Sequence, residues 1–97
     1  MKFEQLYELS EEAKVQFTGF VSDHKRYDFA FIFTDHFFGK TLVICMQTGK
    51  SSLISFEDAG QIDFLQRVFA IREHEEAEEL SLFLQQHLPA VPNLEQY

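Results

Sequence analysis

Carboxylate and imidazole side chains occur side by side twice in the first half of the chain, as Asp23-His24 and Asp35-His36. These side chains are common transition-metal ligands and common partners in proton transfer. Alternating apolar residues between the two pairs predict a strand of about eight residues, whose ends lie about 25 Å apart. Since the ligands of one ion must all contact it, the two pairs cannot share a metal within one chain. We interpret both as polar turns, and expect no metal and no cofactor.

Cations occur in two predicted turns, with Lys25 and Arg26 next to the first Asp-His pair and Lys50 in the turn after the third strand. In an up-and-down meander these two turns lie at the same end of the sheet, where cations could hold a phosphate or a carboxylate. The alternative is that hairpin tips carry charge only for solubility. A phosphate-binding loop ending at residues 49–51 is excluded, because Ile44 stands where that motif needs glycine. The three cations are therefore the candidate residues of an anion site.

An acidic helix is predicted near the C-terminus, over residues 73–88. Apolar residues recur there at spacings of three and four, at Ala77, Leu80, Leu84 and Leu88. Glu75, Glu76 and Glu79 lie outside this stripe and are candidate contacts for a basic partner. His74 and Glu78 approach a zinc-binding H-E-x-x-H motif, but Glu78 replaces the second histidine and further ligands are unidentified. A solvated acidic face is the preferred interpretation.

Residues suited to covalent catalysis are not arranged for it in the sequence. Cys45 lies among Val43, Ile44 and Met46, a context typical of a small buried side chain rather than a reactive thiol. No serine lies in a G-x-S-x-G turn, and no pair of carboxylates is placed in an obvious cleft. We therefore expect a protein that is not an enzyme.

The elements that position these residues are four strands of alternating pattern, over residues 15–21, 27–34, 40–47 and 52–56. In the first strand Lys14, Gln16 and Thr18 are predicted to form the wet side. A loop is expected at residues 57–60. Residues 61–71 fit either a helical turn or a fifth strand, and we favour a turn of helix followed by a strand over Arg67 to Ile71. The predicted fold class is α+β, an antiparallel meander of four to five strands with a C-terminal helix packed on one face.

Length, charge and cysteine content restrict the class of protein. Ninety-seven residues predict a single domain over 1–97. The net charge of −8 argues against binding to nucleic acid or to an anionic membrane. The sequence contains one cysteine, lacks an apolar run long enough to span a membrane, and does not begin with the apolar run of a secretory signal. We expect a soluble, acidic, cytoplasmic protein in a reducing compartment.

Twelve phenylalanines are more than one small core comfortably hides. A sheet with apolar residues on both faces needs two covers, and one helix can supply only one. A second copy of the chain could cover the other face, so we predict a homodimer. The alternative is a monomer in which the loop at 57–66 and an N-terminal segment cover that face. The apolar residues of that segment are Phe3, Leu6, Tyr7 and Leu9.

Three short patterns precede the predicted helix EEAEELSLFL: F-x-G-F at 17–20, R-Y-D at 26–28 and F-G-K-T at 38–41. Together they resemble a family of small cytosolic proteins from Firmicutes known as a domain of unknown function. The resemblance extends from about Val15 to Leu84. It implies a compact bacterial cytosolic protein and supplies no activity and no functional residues.

The leading functional hypothesis is a self-associating protein-interaction or regulatory module that presents its acidic helix to a basic partner. The alternative is a small protein that binds an anionic ligand at the basic end of its sheet.

Overall fold

The structure, a computed structural model, describes residues 2–23 and 25–90. Its sheet has four antiparallel strands in the order β1-β2-β3-β4, so every strand pairs with its neighbour in sequence. The strands are β1 (Lys14–Val21), β2 (Arg26–Phe33), β3 (Thr41–Cys45) and β4 (Ser51–Ile54). The predicted antiparallel meander and α+β class are confirmed. Gly49 has a φ of 77° in the tight β3–β4 turn, a conformation that glycine adopts without strain.

Three helices follow the sheet: α1 (Phe56–Ala59), α2 (Ile62–Phe69) and α3 (His74–His87). The predicted loop at 57–60 and strand over Arg67 to Ile71 are wrong, because α1 and α2 occupy those positions. Ile62 and Leu65, three residues apart, both pack on the core, which a helix allows and a strand would not because it would place them on opposite faces. Ala70 ends α2 in the left-handed region, with a φ of 55°.

The core lies between the three helices and one side of the sheet, which we call the inner face. Alternate residues of β2 point to it, namely Tyr27, Phe29, Phe31 and Phe33. Phe83 of α3 packs on this row, with its ring centroid 6.0 Å from that of Phe29 and 6.3 Å from that of Phe31. The confirmed C-terminal helix therefore covers one face of the sheet, as the sequence pattern predicts.

A buried hydrogen bond joins the first and last helices. The Ser81 hydroxyl of α3 donates to the carbonyl oxygen of Ala59 at 2.6 Å, and both residues are almost fully buried. The side-chain amide of Gln85 donates to the Ser81 hydroxyl at 2.9 Å. Ser81 thus provides a hydrogen-bond donor for a backbone carbonyl at the end of α1. Because Ser81 lies on the buried side of α3, this bond fixes how the two helices pack.

The orientation of β1 is the reverse of the predicted one. Phe20 turns to the inner face, opposite Tyr27, and its ring packs 4.6 Å from that of Phe83. The predicted wet side of β1 shares this face, with the Lys14 ammonium 5.7 Å from the Phe33 ring centroid. Since side chains alternate along a strand, the apolar residues Val15, Phe17 and Val21 point to the opposite side. The contacts of Phe20 with Tyr27 and Phe83 therefore decide the orientation of β1, although three apolar residues lie on its other side.

Candidate functional site

The side of the sheet away from the helices, which we call the outer face, is apolar across all four strands. The strand registers bring eight apolar side chains together there: Val15, Phe17, Val21, Ala30, Ile32, Leu42, Ile44 and Leu53. Within the described residues 2–23 and 25–90, no helix packs on this face. It is therefore an apolar sheet surface that has no helical cover among the described residues.

Exposure is greatest along β1, where Phe17 is 72% exposed and Val21 is 75% exposed. The centre is less exposed because Ile32, Leu42 and Ile44 shield one another. Surface apolar residues are ordinary when scattered, but a contiguous patch marks an interaction site. The outer face is such a patch.

Polar side chains border the outer face at the end of the sheet where β2 begins. The Arg26 Nε donates to the carboxylate of Asp28 at 3.0 Å, and the Gln47 Nε2 donates to the same carboxylate at 2.6 Å. A Cβ at Gly19 would lie 2.6 Å from the Asp28 carboxylate, so only glycine lets that side chain rest over β1. An apolar centre with a polar rim is the usual anatomy of a protein interface.

A second candidate surface is an acidic concavity at the same end of the sheet, on the helix side. Its cavity volume is about 350 Å³, and the β1–β2 turn and the first turns of α3 line it. The lining residues are Ser22, Asp23, Glu73, Glu75, Glu76 and Glu79. The three glutamates predicted as partner contacts therefore share one concavity. Asp23 and Glu73 add two more carboxylates to this lining. The sequence pattern of the helix did not identify them, because the fold brings them to the concavity.

Glu76 is held by the fold, whereas Glu75 and Glu79 are exposed. The Tyr27 hydroxyl donates to the Glu76 carboxylate at 2.8 Å, and the Lys25 ammonium lies 3.5 Å from the same oxygen. Burial raises the pKa of Tyr27 well above its ordinary value, and the hydrogen bond to Glu76 and its negative charge raise it further. The Tyr27 hydroxyl therefore stays protonated. Its hydrogen bond holds the Glu76 carboxylate in place at the base of the concavity.

The three cations of the predicted anion site are placed differently from one another. Lys25 turns toward α3 and Glu76, whereas Arg26 pairs with Asp28 on the outer-face side. Lys50 lies in the β3–β4 turn, where its backbone N–H donates to the Thr48 hydroxyl. The structure thus directs Lys25 and Arg26 to opposite sides of the sheet. Anion binding stays a prediction.

The two Asp-His pairs are separated by the fold as far as it is described. His24 lies outside the described residues, while Asp23 lines the acidic concavity. At the other end of the sheet, His36 Nε2 lies 3.3 Å from Glu11. Among residues 2–23 and 25–90, no group of three or more metal-ligating side chains comes together. Cys45 is buried, as its sequence context indicates.

The fold and surfaces together define a two-layer α+β domain, with helices on one face of an antiparallel meander and an open apolar face on the other. The chain belongs to the SAV0927-like family, whose model matches residues 6–86. This match supports the resemblance to a domain of unknown function. None of the curated proteins compared with the chain matches it. None of the described helices has both the length and the apolar character needed to cross a bilayer.

Proposed function

We propose that the protein is a self-associating interaction module, in which the outer faces of two copies pack against each other. The observation that carries this proposal is the contiguous apolar surface of four strands, with Phe17 and Val21 mostly exposed. Two sheets pack face to face about 10 Å apart by interdigitating such side chains. A two-fold axis lets one surface serve both partners.

Burial of apolar surface supplies the driving force for this association. Removing apolar surface from water contributes about 25 cal/mol per Å², and an aromatic side chain such as Phe17 offers up to about 200 Å². The ion-paired rim of Arg26 and Asp28 restricts how two copies can align, because like charges must avoid each other. The proposed role is therefore a specific dimer rather than open-ended aggregation.

Sedimentation of the purified chain over about 1 to 500 µM tests the proposal, since weak dimers have Kd values in this range. We expect the average mass to rise from one chain to two. Phe17→Glu should hold the protein monomeric. Leu82→Glu places the same charge on an exposed apolar residue of α3 and should leave the dimer intact. A native chain that stays monomeric at the highest concentration would disprove self-association.

A basic protein partner at the acidic concavity is the second proposed function. Five carboxylates line that concavity, and Glu75 and Glu79 are free to make contact because the fold does not use them to hold Tyr27. The preference for a cationic partner follows from the charge, since the concavity would repel anionic ligands. This role is compatible with self-association, because the concavity lies on the helix side of the sheet.

Fluorescence anisotropy with a labelled lysine-rich peptide tests this second role. Glu75→Lys combined with Glu79→Lys should weaken binding about tenfold or more, as expected when contacts between opposite charges become repulsive. The matched control is Glu12→Lys with Glu57→Lys, which changes the net charge equally at exposed residues that do not line the concavity. Equal loss in both double variants would mean that the peptide senses only net charge.

We also propose a bacterial, cytosolic setting, in a Firmicutes species. The sequence resemblance supports this origin, and the buried single cysteine suits a reducing compartment. Anion binding by Lys25, Arg26 and Lys50 is the weaker alternative function, because two of these cations already contact carboxylates.

A further inference from the structure

The N-terminal arm, residues 2–9, packs on no part of the core in the described chain. Its apolar side chains are mostly exposed to solvent, with Phe3 89% exposed and Leu6 86% exposed. Tyr7 and Leu9 are also exposed. Exposure of four large apolar side chains within eight residues is unfavourable in water. In the described chain, the arm therefore lacks a surface that would bury these side chains.

The arm is attached to the sheet at a defined point. Glu11 accepts hydrogen bonds from the Thr34 hydroxyl and, at 3.4 Å, from the backbone N–H of Asp35. The bond to Thr34 is the main cause that lowers the pKa of Glu11, so the carboxylate is charged at neutral pH. His36 Nε2 lies 3.3 Å from the same carboxylate. The arm therefore leaves from the end of the sheet where β2 and β3 are connected.

The sequence of the arm has the period of an amphipathic helix, although the described arm contains no helix. Phe3, Leu6 and Tyr7 are spaced i, i+3 and i+4, and the polar residues Glu4, Gln5 and Glu8 fall between them. A helix this short is marginal in water and forms only when its apolar side docks on a surface. The pattern thus predicts a helix whose docking surface is not provided by the described part of its own chain.

The outer face has the chemistry of that docking surface but is too small alone for a stable dimer. Four strands spaced about 4.8 Å apart and about 21 Å long on average give a footprint of about 400 Å². A standard interface buries about 800 Å² on each partner. Phe3 and Tyr7 together would add about 300 Å², since an aromatic side chain buries 150–250 Å². Arm and outer face together reach the size of a stable interface.

From these observations we infer that the N-terminal arm of each chain folds as a short amphipathic helix along the β1 edge of a second copy's outer face, beside the contact between the two sheets. The inference rests on the proposed self-association and names the segment that completes it. The second copy is the occupant because Glu11 anchors the arm at the end of its own sheet, and yet the apolar side chains of the arm and of β1 are both exposed in the described chain. Two exchanged arms would satisfy both surfaces with one two-fold contact.

Paired arm variants test this inference by sedimentation equilibrium. Leu6→Glu should raise the dimer Kd about tenfold or more, because it places a charge on a side chain whose burial contributes about 1.5–3 kcal/mol. Gln5→Glu adds the same charge to the neighbouring polar side and should change the Kd by less than about twofold. If both variants behave alike while Phe17→Glu still abolishes the dimer, the arm inference fails and self-association stands. If Phe17→Glu has no effect, the outer face is not the contact, and the proposed dimer and the arm inference both fail.

A mixture of two defective chains shows whose outer face the arm covers. Combining Leu6→Glu with Phe17→Glu gives a heterodimer with one intact arm on one intact outer face, provided that arms are exchanged. In native mass spectrometry of the mixture, the squared heterodimer population should then lie well above four times the product of the two homodimer populations, which is the value for random pairing. A ratio of four or less would overturn the inference.

Discussion

Tyr27 has two structural roles, one in the core and one at the acidic concavity. Its ring belongs to the aromatic row of the inner face, and its hydroxyl reaches out of the core to Glu76. The same residue thus fixes β2 in the core and sets the floor of the acidic concavity. Changes at Tyr27 should therefore affect stability and the concavity together.

Tyr27→Phe should lower the free energy of unfolding by about 1 kcal/mol, because the Glu76 carboxylate loses a hydrogen-bond donor in a half-buried place. Urea unfolding at neutral pH measures this change. The matched control is Tyr7→Phe, at an exposed position, which should have no effect on unfolding. A loss of equal size in both variants would contradict a special role for the Tyr27 hydroxyl.

Tyr27 should also make the fold sensitive to alkali. Its pKa is raised in the folded chain, so the folded state holds the phenolic proton more tightly than the unfolded state does. The stabilisation is fully present below the ordinary tyrosine pKa of 10.0 and is lost as pH rises above it. Urea unfolding at alkaline pH should show a steeper loss for the native chain than for Tyr27→Phe. Parallel curves would contradict the raised pKa.

At the scale of elements, α1 is four residues long and depends on its cap. The Ser55 hydroxyl accepts from the backbone N–H of Asp58 at 3.1 Å, and the Asp58 carboxylate accepts from the backbone N–H of Ser55 at 3.1 Å. The Lys40 ammonium lies 3.2 Å from the same carboxylate. This reciprocal cap ties the start of the helix layer to β4 and to the β2–β3 connection.

Ser55→Ala should lower the free energy of unfolding by about 1 kcal/mol, as loss of a helix N-cap usually does. Thermal unfolding followed by circular dichroism measures it. Ser51→Ala, at an exposed position on β4, is the control and should leave the unfolding temperature nearly unchanged. If the two variants unfold at the same temperature, the cap contributes nothing to the native fold.

The cap also predicts an acid dependence. Burial opposes ionisation of Asp58, but the hydrogen bonds from Ser55 and the contact with Lys40 outweigh it and lower the pKa of Asp58. The stabilisation is therefore present above the ordinary pKa of 3.8 and is lost as pH falls through the lowered value. Asp58→Asn should be less stable than the native chain at pH 6 and should approach it as the pH falls below the ordinary pKa of 3.8. A constant difference would contradict this assignment.

The strand and helix patterns predict the sheet order and α3 because their periods are long and unmixed. They fail at α2, where the sequence fits a helix or a strand until Ile62 and Leu65, three residues apart, are seen to pack on the same core. They also fail on the orientation of β1, since apolar residues occupy both of its sides. The contact of Phe20 with Phe83 decides which side of β1 faces the helices. These two residues are far apart in sequence, so a local sequence pattern cannot predict their contact.

The whole molecule combines an apolar outer face with a net charge of −8. Two such chains repel each other, so salt should favour their association by screening. A basic partner at the acidic concavity is attracted by the same charge, so salt should weaken that complex. The charge thus gives the two proposed surfaces opposite salt dependence.

Raising the sodium chloride concentration from about 50 mM to about 500 mM should therefore lower the Kd of the dimer and raise the Kd of the lysine-rich peptide. Sedimentation and anisotropy on one protein sample measure the two effects. The Leu82→Glu variant, with one more negative charge, should show a slightly steeper salt response of the dimer. A dimer that dissociates in salt would show that ion pairs, and not the apolar outer face, hold it together.

The strand order also governs how the chain acquires its structure. Because each strand pairs only with its neighbour in sequence, no pairing waits for a distant segment, and such local topologies refold quickly, within about milliseconds to seconds. The inner core can close before two chains meet. Refolding rates should thus be independent of protein concentration, while resistance to unfolding should grow with it.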